Sequence, residues 1–382
     1  MALINYLDGV PVSQDELKKK VFASSVDLLT NSERISFRNG NANLGRPERA
    51  VSLSHRGQFT PIGIGKPLSV EYIGGYSGEV QGWRPKRKKT LLISSKVKST
   101  TTYGSAQRML NLLKYDVKQN ETLSTSANDV GGSIIYYSPS VTLGTIDLNF
   151  ELAINQFEQG FINDVSNLFN SASQIPIFAP AAPFLFGMGG ILKLAGKMAN
   201  SLFEKGAFLS GDYKFDFDRP RGDKTFNYPG IKAIFDNARH AKALTGYSPG
   251  YEAGDSEQLN PCLIDRQSGK KYTGPIPYLL IEVDGRKRSR LKDFEPRAAT
   301  AAQLEMFYGD DGKGRLSNIL DDMIDAMKIY SDLKYYNDAM ENYEDMQNAS
   351  SPEEKEEYKL LFKSNQANVI NKVFAQALKK LN

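Results

Sequence analysis

Residues 145–152 read TIDLNFEL, and their alternation decides the fold class. Ile146, Leu148 and Phe150 fall on one side of an extended chain, Asp147, Asn149 and Glu151 on the other. A period of 3.6 would scatter these residues around a helix, so the period of two specifies a strand with one packed and one wet face. Half-wet strands belong to antiparallel sheets, because parallel sheets are covered on both faces.

The same reading extends in both directions. Residues 133–139, SIIYYSP, and 90–98, TLLISSKVK, are β-branched or aromatic and predict strands. Downstream, Tyr213, Phe215 and Phe217 alternate with Lys214, Asp216 and Asp218. Residues 278–285, YLLIEVDG, form an unbroken apolar run of the kind a central strand shows when both faces are buried. Residues 61–76 predict short strands joined by glycine turns. Residues 104–113 predict a helix, with Met109, Leu110 and Leu113 on one face, and 18–29 predict a further short helix. Strands spaced by long insertions, without regular strand–helix alternation, specify an α+β protein with a mostly antiparallel β-sandwich core.

After Pro296 the pattern turns helical. Leu316, Leu320, Met323, Met327, Tyr330 and Leu333 recur at spacings of four and three, a narrow stripe. Ser351-Pro352-Glu353-Glu354 is a helix start, with serine as N-cap, proline in the first turn and Glu354 three residues on. An apolar face of Tyr358, Leu361, Phe362, Val369, Val373 and Phe374 follows, with Lys379 and Lys380 where the helix dipole favours cations. A C-terminal helical pair is expected. The domain organisation is then a loop-rich region at 1–85, a β-sandwich at 86–298 with an apolar helical hairpin inserted at 156–205, and a helical region at 299–382.

Composition narrows the functional classes. Of 382 residues 40% are apolar, mean hydropathy is −0.42 and net charge is +4, which excludes a polytopic helical membrane protein and any dominant charge. Charge is unevenly placed: residues 1–150 carry 19 Lys and Arg against 12 Asp and Glu, whereas 309–382 carry 10 against 14. Opposite signs at the two ends favour docking within the chain or self-association. One cysteine, Cys262, and a start lacking a basic, then apolar leader lead us to expect a cytoplasmic protein.

The catalytic-looking strings fail on chemistry. Residues 246–250, GYSPG, match the G-x-S-x-G pattern, but the residue after Ser248 is Pro249, which has no N–H for an oxyanion hole. Residues 308–311, YGDD, resemble a polymerase metal turn, yet no partner carboxylate or flanking strands accompany them. His55 and His240 are far apart, and no Cys/His ligand spacing or glycine-rich phosphate loop occurs. Asp216, Asp218 and Glu282 are carboxylates that chemistry could use if folding brought them together. No catalytic, cofactor or metal site is expected, and the chain reads as a non-enzymatic interaction or assembly protein.

Two stretches carry the binding expectations. Trp83, the only tryptophan, opens a basic run of Arg84, Lys86, Arg87, Lys88 and Lys89, and a second run holds Arg286, Lys287, Arg288, Arg290 and Lys292. Cations beside an aromatic suit anionic lipid heads or nucleic-acid phosphates; ordinary solvated strand ends look the same. Residues 165–192 contain no charge at all, and Ile175, Phe178, Phe184, Phe186, Ile191 and Leu192 lie within them. Three prolines and a Gly-Met-Gly-Gly step break any single spanning helix, leaving a hairpin that is buried, inserts into lipid or meets a partner. The partners expected are thus a protein or second copy, an anionic membrane, or nucleic acid.

Overall fold

The computed structural model describes residues 2–7, 10–12, 51–52, 59–79, 89–99, 107–114, 116–124, 132–142, 145–155, 209–217, 229–253, 259–292, 294 and 316–381. Its strands are β1 (Ala2–Leu7), β2 (Val10–Val12), β3 (Val51–Ser52), β4 (Leu68–Tyr76), β5 (Thr90–Ser99), β6 (Gln107–Lys114), β7 (Thr122–Leu123), β8 (Ile134–Ser138), β9 (Thr145–Asn155), β10 (Leu209–Asp216), β11 (Gly230–Phe235), β12 (Tyr247–Ala253), β13 (Leu259–Asp265) and β14 (Tyr278–Asp284). The helices are α1 (Ala238–Ala243), α2 (Leu316–Asn348), α3 (Pro352–Asn368) and α4 (Lys372–Lys379). The class is α+β with antiparallel sheets. The helix expected at 18–29 and the hairpin expected at 156–205 lie outside the described residues.

A seven-stranded sheet runs β2-β1-β11-β14-β4-β7, with β8 also paired to β4. It is the middle layer, which is why β14 and β11 are buried along their whole length. On one face Ile231, Ala233, Phe235, Tyr278 and Leu280 pack with Ala241 and Leu244 of α1 and with Tyr251, Leu263 and Tyr272 around β12 and β13. That layer is a three-stranded sheet, β13-β12-β3. Tyr76 and Tyr278 stack at 5.5 Å between centroids, and the Tyr278 hydroxyl accepts the Leu263 N–H at 2.9 Å, so a tyrosine in this core keeps its polar end satisfied. Alternate residues, including Lys232, point the other way, and Lys232 Nζ lies 5.7 Å from the Tyr213 ring of β10. That face therefore looks onto the four-stranded sheet β10-β9-β5-β6.

The alternation read at 145–152 is realised in β9 and β10. Ile146, Leu148, Phe150, Tyr213, Phe215 and Phe217 are all buried, while Asp147, Asp212 and Lys214 are exposed. Glu151, expected on the wet face, is instead buried, paired with Lys96. The expectation of a helix at 104–113 is corrected: residues 107–114 are the edge strand β6. Its pairing with β5 steps from Ile93↔Leu112 to Ser94↔Leu110, so Asn111 is bulged out of register. The bulge shifts the phase of burial, Met109, Asn111, Leu112 and Leu113 all being inside. This broken alternation imitates a helical spacing.

At the C-terminus α2 and α3 form the expected pair. Ser351 Oγ accepts the Glu354 N–H at 3.1 Å, and Glu354 reaches back to the Ser350 N–H at 2.7 Å, two free helix-start donors satisfied by the motif read in the sequence. Two details differ. The end of the apolar stripe on α2 faces outward, Tyr330 being 53% and Leu333 43% exposed while Asp332, Tyr335 and Ala339 are buried. The second helix stops at Asn368, and α4 starts afresh with Asn371 as N-cap. The break is held by Asp332, whose carboxylate accepts the Ile370 N–H at 2.7 Å and the Asn371 N–H at 2.6 Å. A buried carboxylate with two backbone donors explains why polar Asp332 takes the inward position beside exposed Leu333.

The helices dock on the β layers through polar groups. Asn368 Nδ2 donates to the Ser140 carbonyl at 2.7 Å, and Lys292 Nζ donates to the Val369 carbonyl at 2.9 Å. Lysine at the carbonyl end of α3 satisfies both a free acceptor and the helix dipole.

Candidate functional site

One end of the four-stranded sheet is where the chain enters after the first basic run and departs toward the charge-free run. There Thr90 opens β5 opposite Asn155, the last residue of β9, and Leu209, the first residue of β10, lies opposite Leu152. The chain carrying the charge-free run leaves the sheet at Asn155 and returns at Leu209. The basic run ends at Lys89, one residue before Thr90. Lys89 is tied to the sheet by its carbonyl, which accepts the Val117 N–H at 3.0 Å. Lys114, the last residue of β6, is at this end too, opposite Leu91, and pairs with Glu121 at 3.1 Å. Register therefore brings Lys89 and the two ends of the segment 156–208, within which the charge-free run lies, to three neighbouring strands. Trp83, Arg84, Lys86, Arg87 and Lys88 are outside the described residues, as are Ile175, Phe178, Phe184, Phe186, Ile191 and Leu192.

The second basic run is placed differently. Arg286 pairs with Glu282 and with Asp284, and Arg288 pairs with Glu71. The Arg288 N–H donates to the Tyr137 hydroxyl at 2.8 Å. Asp284 is 1% exposed and also accepts the Thr60 N–H at 2.8 Å. Burial pushes the Glu282 carboxyl above its ordinary value, and the Arg286 guanidinium pulls it back. These arginines give buried Glu282 and Asp284 and half-buried Glu71 partners of opposite charge, as carboxylates taken out of water require. Lys287 is exposed, Lys292 is committed to the α3 terminus, and of Arg290 only the backbone, in a 3-10 turn at Ser289–Leu291, is described.

The catalytic look-alikes are placed as follows. Ser248 is inside β12, opposite Ile264, and it follows helix α1 instead of preceding one. His240 lies in the first turn of α1: the N-cap Asn237 accepts its N–H at 2.9 Å, and its Nδ1 is 2.5 Å from Asp236. Asp216 ends β10, Glu282 lies in β14, and residues 308–311, His55 and Asp218 are outside the described residues. Cys262 is fully buried, and burial pushes its thiol up to about 12, which leaves almost no thiolate at neutral pH. Among the described residues no group of three or more His, Cys, Asp or Glu side chains is placed to hold a metal ion, and no helix is long and apolar enough to cross a membrane.

Two features escape a linear reading. Lys232 stands inside the run GIKAIF, where burial lowers its ammonium to about 7. The odd lysine in a β-pattern run was the available signal. The wet face of the four-stranded sheet carries two cross-strand rows, Lys96–Asn149–Asp212 and Lys98–Asp147–Lys214. Lys96 also pairs with Glu151 at 2.5 Å, and Asn149 Nδ2 donates to Asp212 at 2.8 Å. Comparison with protein-family models, curated proteins and solved structures finds no match.

Proposed function

We propose that the chain is a non-enzymatic interaction protein of the cytoplasm, and that the surface it engages is an anionic membrane, met by the end of the four-stranded sheet where β5 begins and β9 ends. The observation that carries this is the pairing Thr90↔Asn155, by which the strand that follows the first basic run and the strand that leads out toward the charge-free run at 165–192 share one end of the sheet. Cations draw the protein to anionic headgroups, each adding about 1 kcal/mol near such a surface. An uncharged apolar stretch then gains by leaving water. Nucleic acid fits less well, because it offers phosphates but no apolar phase for residues 165–192.

The resting protein keeps the uncharged run away from lipid, and a protease or partner frees it. Intact protein and protein after limited proteolysis are mixed with vesicles of phosphatidylcholine, with and without phosphatidylglycerol, and scored by sedimentation and dye release. The expected result is salt-sensitive sedimentation with the anionic vesicles, dye release only after proteolysis, and loss of both when Lys86, Arg87, Lys88 and Lys89 are changed to Glu. Equal binding at low and high salt, or tight binding to duplex DNA with none to vesicles, contradicts the reading.

A second reading, assembly with a protein partner, has its own observation. Ile329, Tyr330 and Leu333 of α2 are 52%, 53% and 43% exposed on neighbouring turns. Changing Tyr330 and Leu333 to Ser tests it: the variant keeps its fold and loses self-association or partner capture if this face is used.

A further inference from the structure

The four-stranded sheet ends in an edge strand that is complementary to itself. β10 is the outermost strand of that sheet, and among the described residues no strand pairs with its outer side. It is regular over eight residues, with buried and exposed positions alternating. Unpaired backbone donors and acceptors on a regular edge are a template for another strand, and proteins usually blunt such edges. The opposite edge, β6, is blunted by the bulge at Asn111, whose Nδ2 is drawn inward to the Gly132 carbonyl at 3.2 Å. β10 carries no bulge in its pairing with β9.

We infer that β10 is a homodimer interface, joining two copies edge to edge around a two-fold axis at Tyr213 into one eight-stranded antiparallel sheet. A two-fold axis perpendicular to the sheet keeps both packed faces on one side, so residues of like parity meet across it. Centred on Tyr213, it sets Asp212 of each copy opposite Lys214 of the other, and Gly211 opposite Phe215. Moving the axis to Asp212 or to Lys214 sets that charge against its own copy. Directly opposed unlike charges support strand pairing and like charges oppose it. An axis at Phe215 also opposes Lys214 to Asp216 but overlaps only Lys214–Asp216 of the strand, whereas the Tyr213 axis overlaps Ser210–Asp216, so the Tyr213 register is selected.

The complementarity extends past the seam. The row Lys96–Asn149–Asp212 continues into Lys214–Asp147–Lys98 of the second copy, with no two like charges adjacent anywhere along it. Asp212 and Lys214 are exposed, so the edge presents both charges to a partner. This dimer stands independently of membrane binding.

The test uses the full chain and two charge variants, Asp212→Lys and Lys214→Asp, with sedimentation velocity over a concentration series and melting curves to establish that each is folded. Wild type is expected to dimerise. Asp212→Lys alone opposes two lysines across the seam and Lys214→Asp alone opposes two aspartates, so each is expected to be monomeric. Mixed together, they restore unlike pairs and form a heterodimer, an outcome that a folding defect cannot produce. A monomeric wild type, variants that dimerise as well as wild type, or a mixture that stays monomeric overturns the proposal.

Discussion

Replacing Lys232 with methionine is expected to stabilise the protein at neutral pH. Lys232 is 1% exposed, in β11 opposite Asn5 and Ile281, and its ammonium meets the Tyr213 ring at 5.7 Å. Burial lowers its pKa from the ordinary 10.5 to about 7. At about 1.4 kcal/mol per pH unit, that fall means on the order of 5 kcal/mol of stability withheld when the group is charged. The sign follows from proton binding. Below pH 7 both folded and unfolded chains hold the proton, and the folded state bears the whole cost. Between about 7 and 10.5 the unfolded chain binds more protons than the folded one, so stability rises with pH. Methionine has similar length and no charge, and it fills the same space. Urea unfolding at pH 6, 7, 8 and 9 measures both proteins. The variant is expected to exceed wild type by a few kcal/mol at pH 6, with the gap closing toward pH 9; the cation–ring contact it gives up reduces the gap by about 1 kcal/mol. A constant gap across this range, or a variant less stable than wild type at pH 6, refutes the assignment of a costly buried charge.

Three further outcomes follow from the packing. Ile281→Asp, at a fully buried position in β14, is expected to abolish cooperative unfolding, since an unpaired interior charge costs several kcal/mol, comparable with the stability of a whole domain. Asp332→Ala strands the Ile370 and Asn371 N–H groups and is expected to cost about 2 kcal/mol in denaturant unfolding, with faster hydrogen exchange confined to residues 369–373; Asp332→Asn, which keeps one acceptor, falls between. Ser248→Ala leaves any hydrolytic turnover of the pure protein unchanged, because Ser248 is a strand residue followed by Pro249; turnover lost at an unchanged melting temperature would expose a real nucleophile.

The strands β8, β9, β10 and β14 were legible because each obeys one rule, strict alternation or a continuous apolar run. The helix start at Ser351 was legible because its capping groups are local. What escaped depends on distant partners. β6 was hidden by the bulge at Asn111 and read as helix. β12 and β13 contain Pro249 and Pro261, which argue against strand in isolation. They are tolerated because β13 is an edge strand and β3 reaches only Gly250 and Tyr251 of β12. The inward turn of Asp332, with Leu333 left exposed, follows from its serving a break thirty-eight residues away. Of the candidate site, the basic and charge-free runs were visible as composition. That the chain leaves the first basic run and sets out toward the charge-free run at one sheet end required the register Thr90↔Asn155. The second basic run looked identical in sequence to the first; only its carboxylate partners Glu71, Glu282 and Asp284 set it apart.

The membrane reading is tested most directly by placing a polarity-sensitive fluorophore in the charge-free run. Phe184→Cys supplies the attachment point, and the single native cysteine, Cys262, is buried and does not compete. With anionic vesicles and limited proteolysis, the fluorophore is expected to shift its emission to the blue and to be quenched by quenchers carried on the acyl chains. Neutral vesicles, or the variant with Lys86, Arg87, Lys88 and Lys89 changed to Glu, are expected to produce neither. Emission unchanged with anionic vesicles after proteolysis contradicts membrane engagement and leaves assembly with a protein partner as the account.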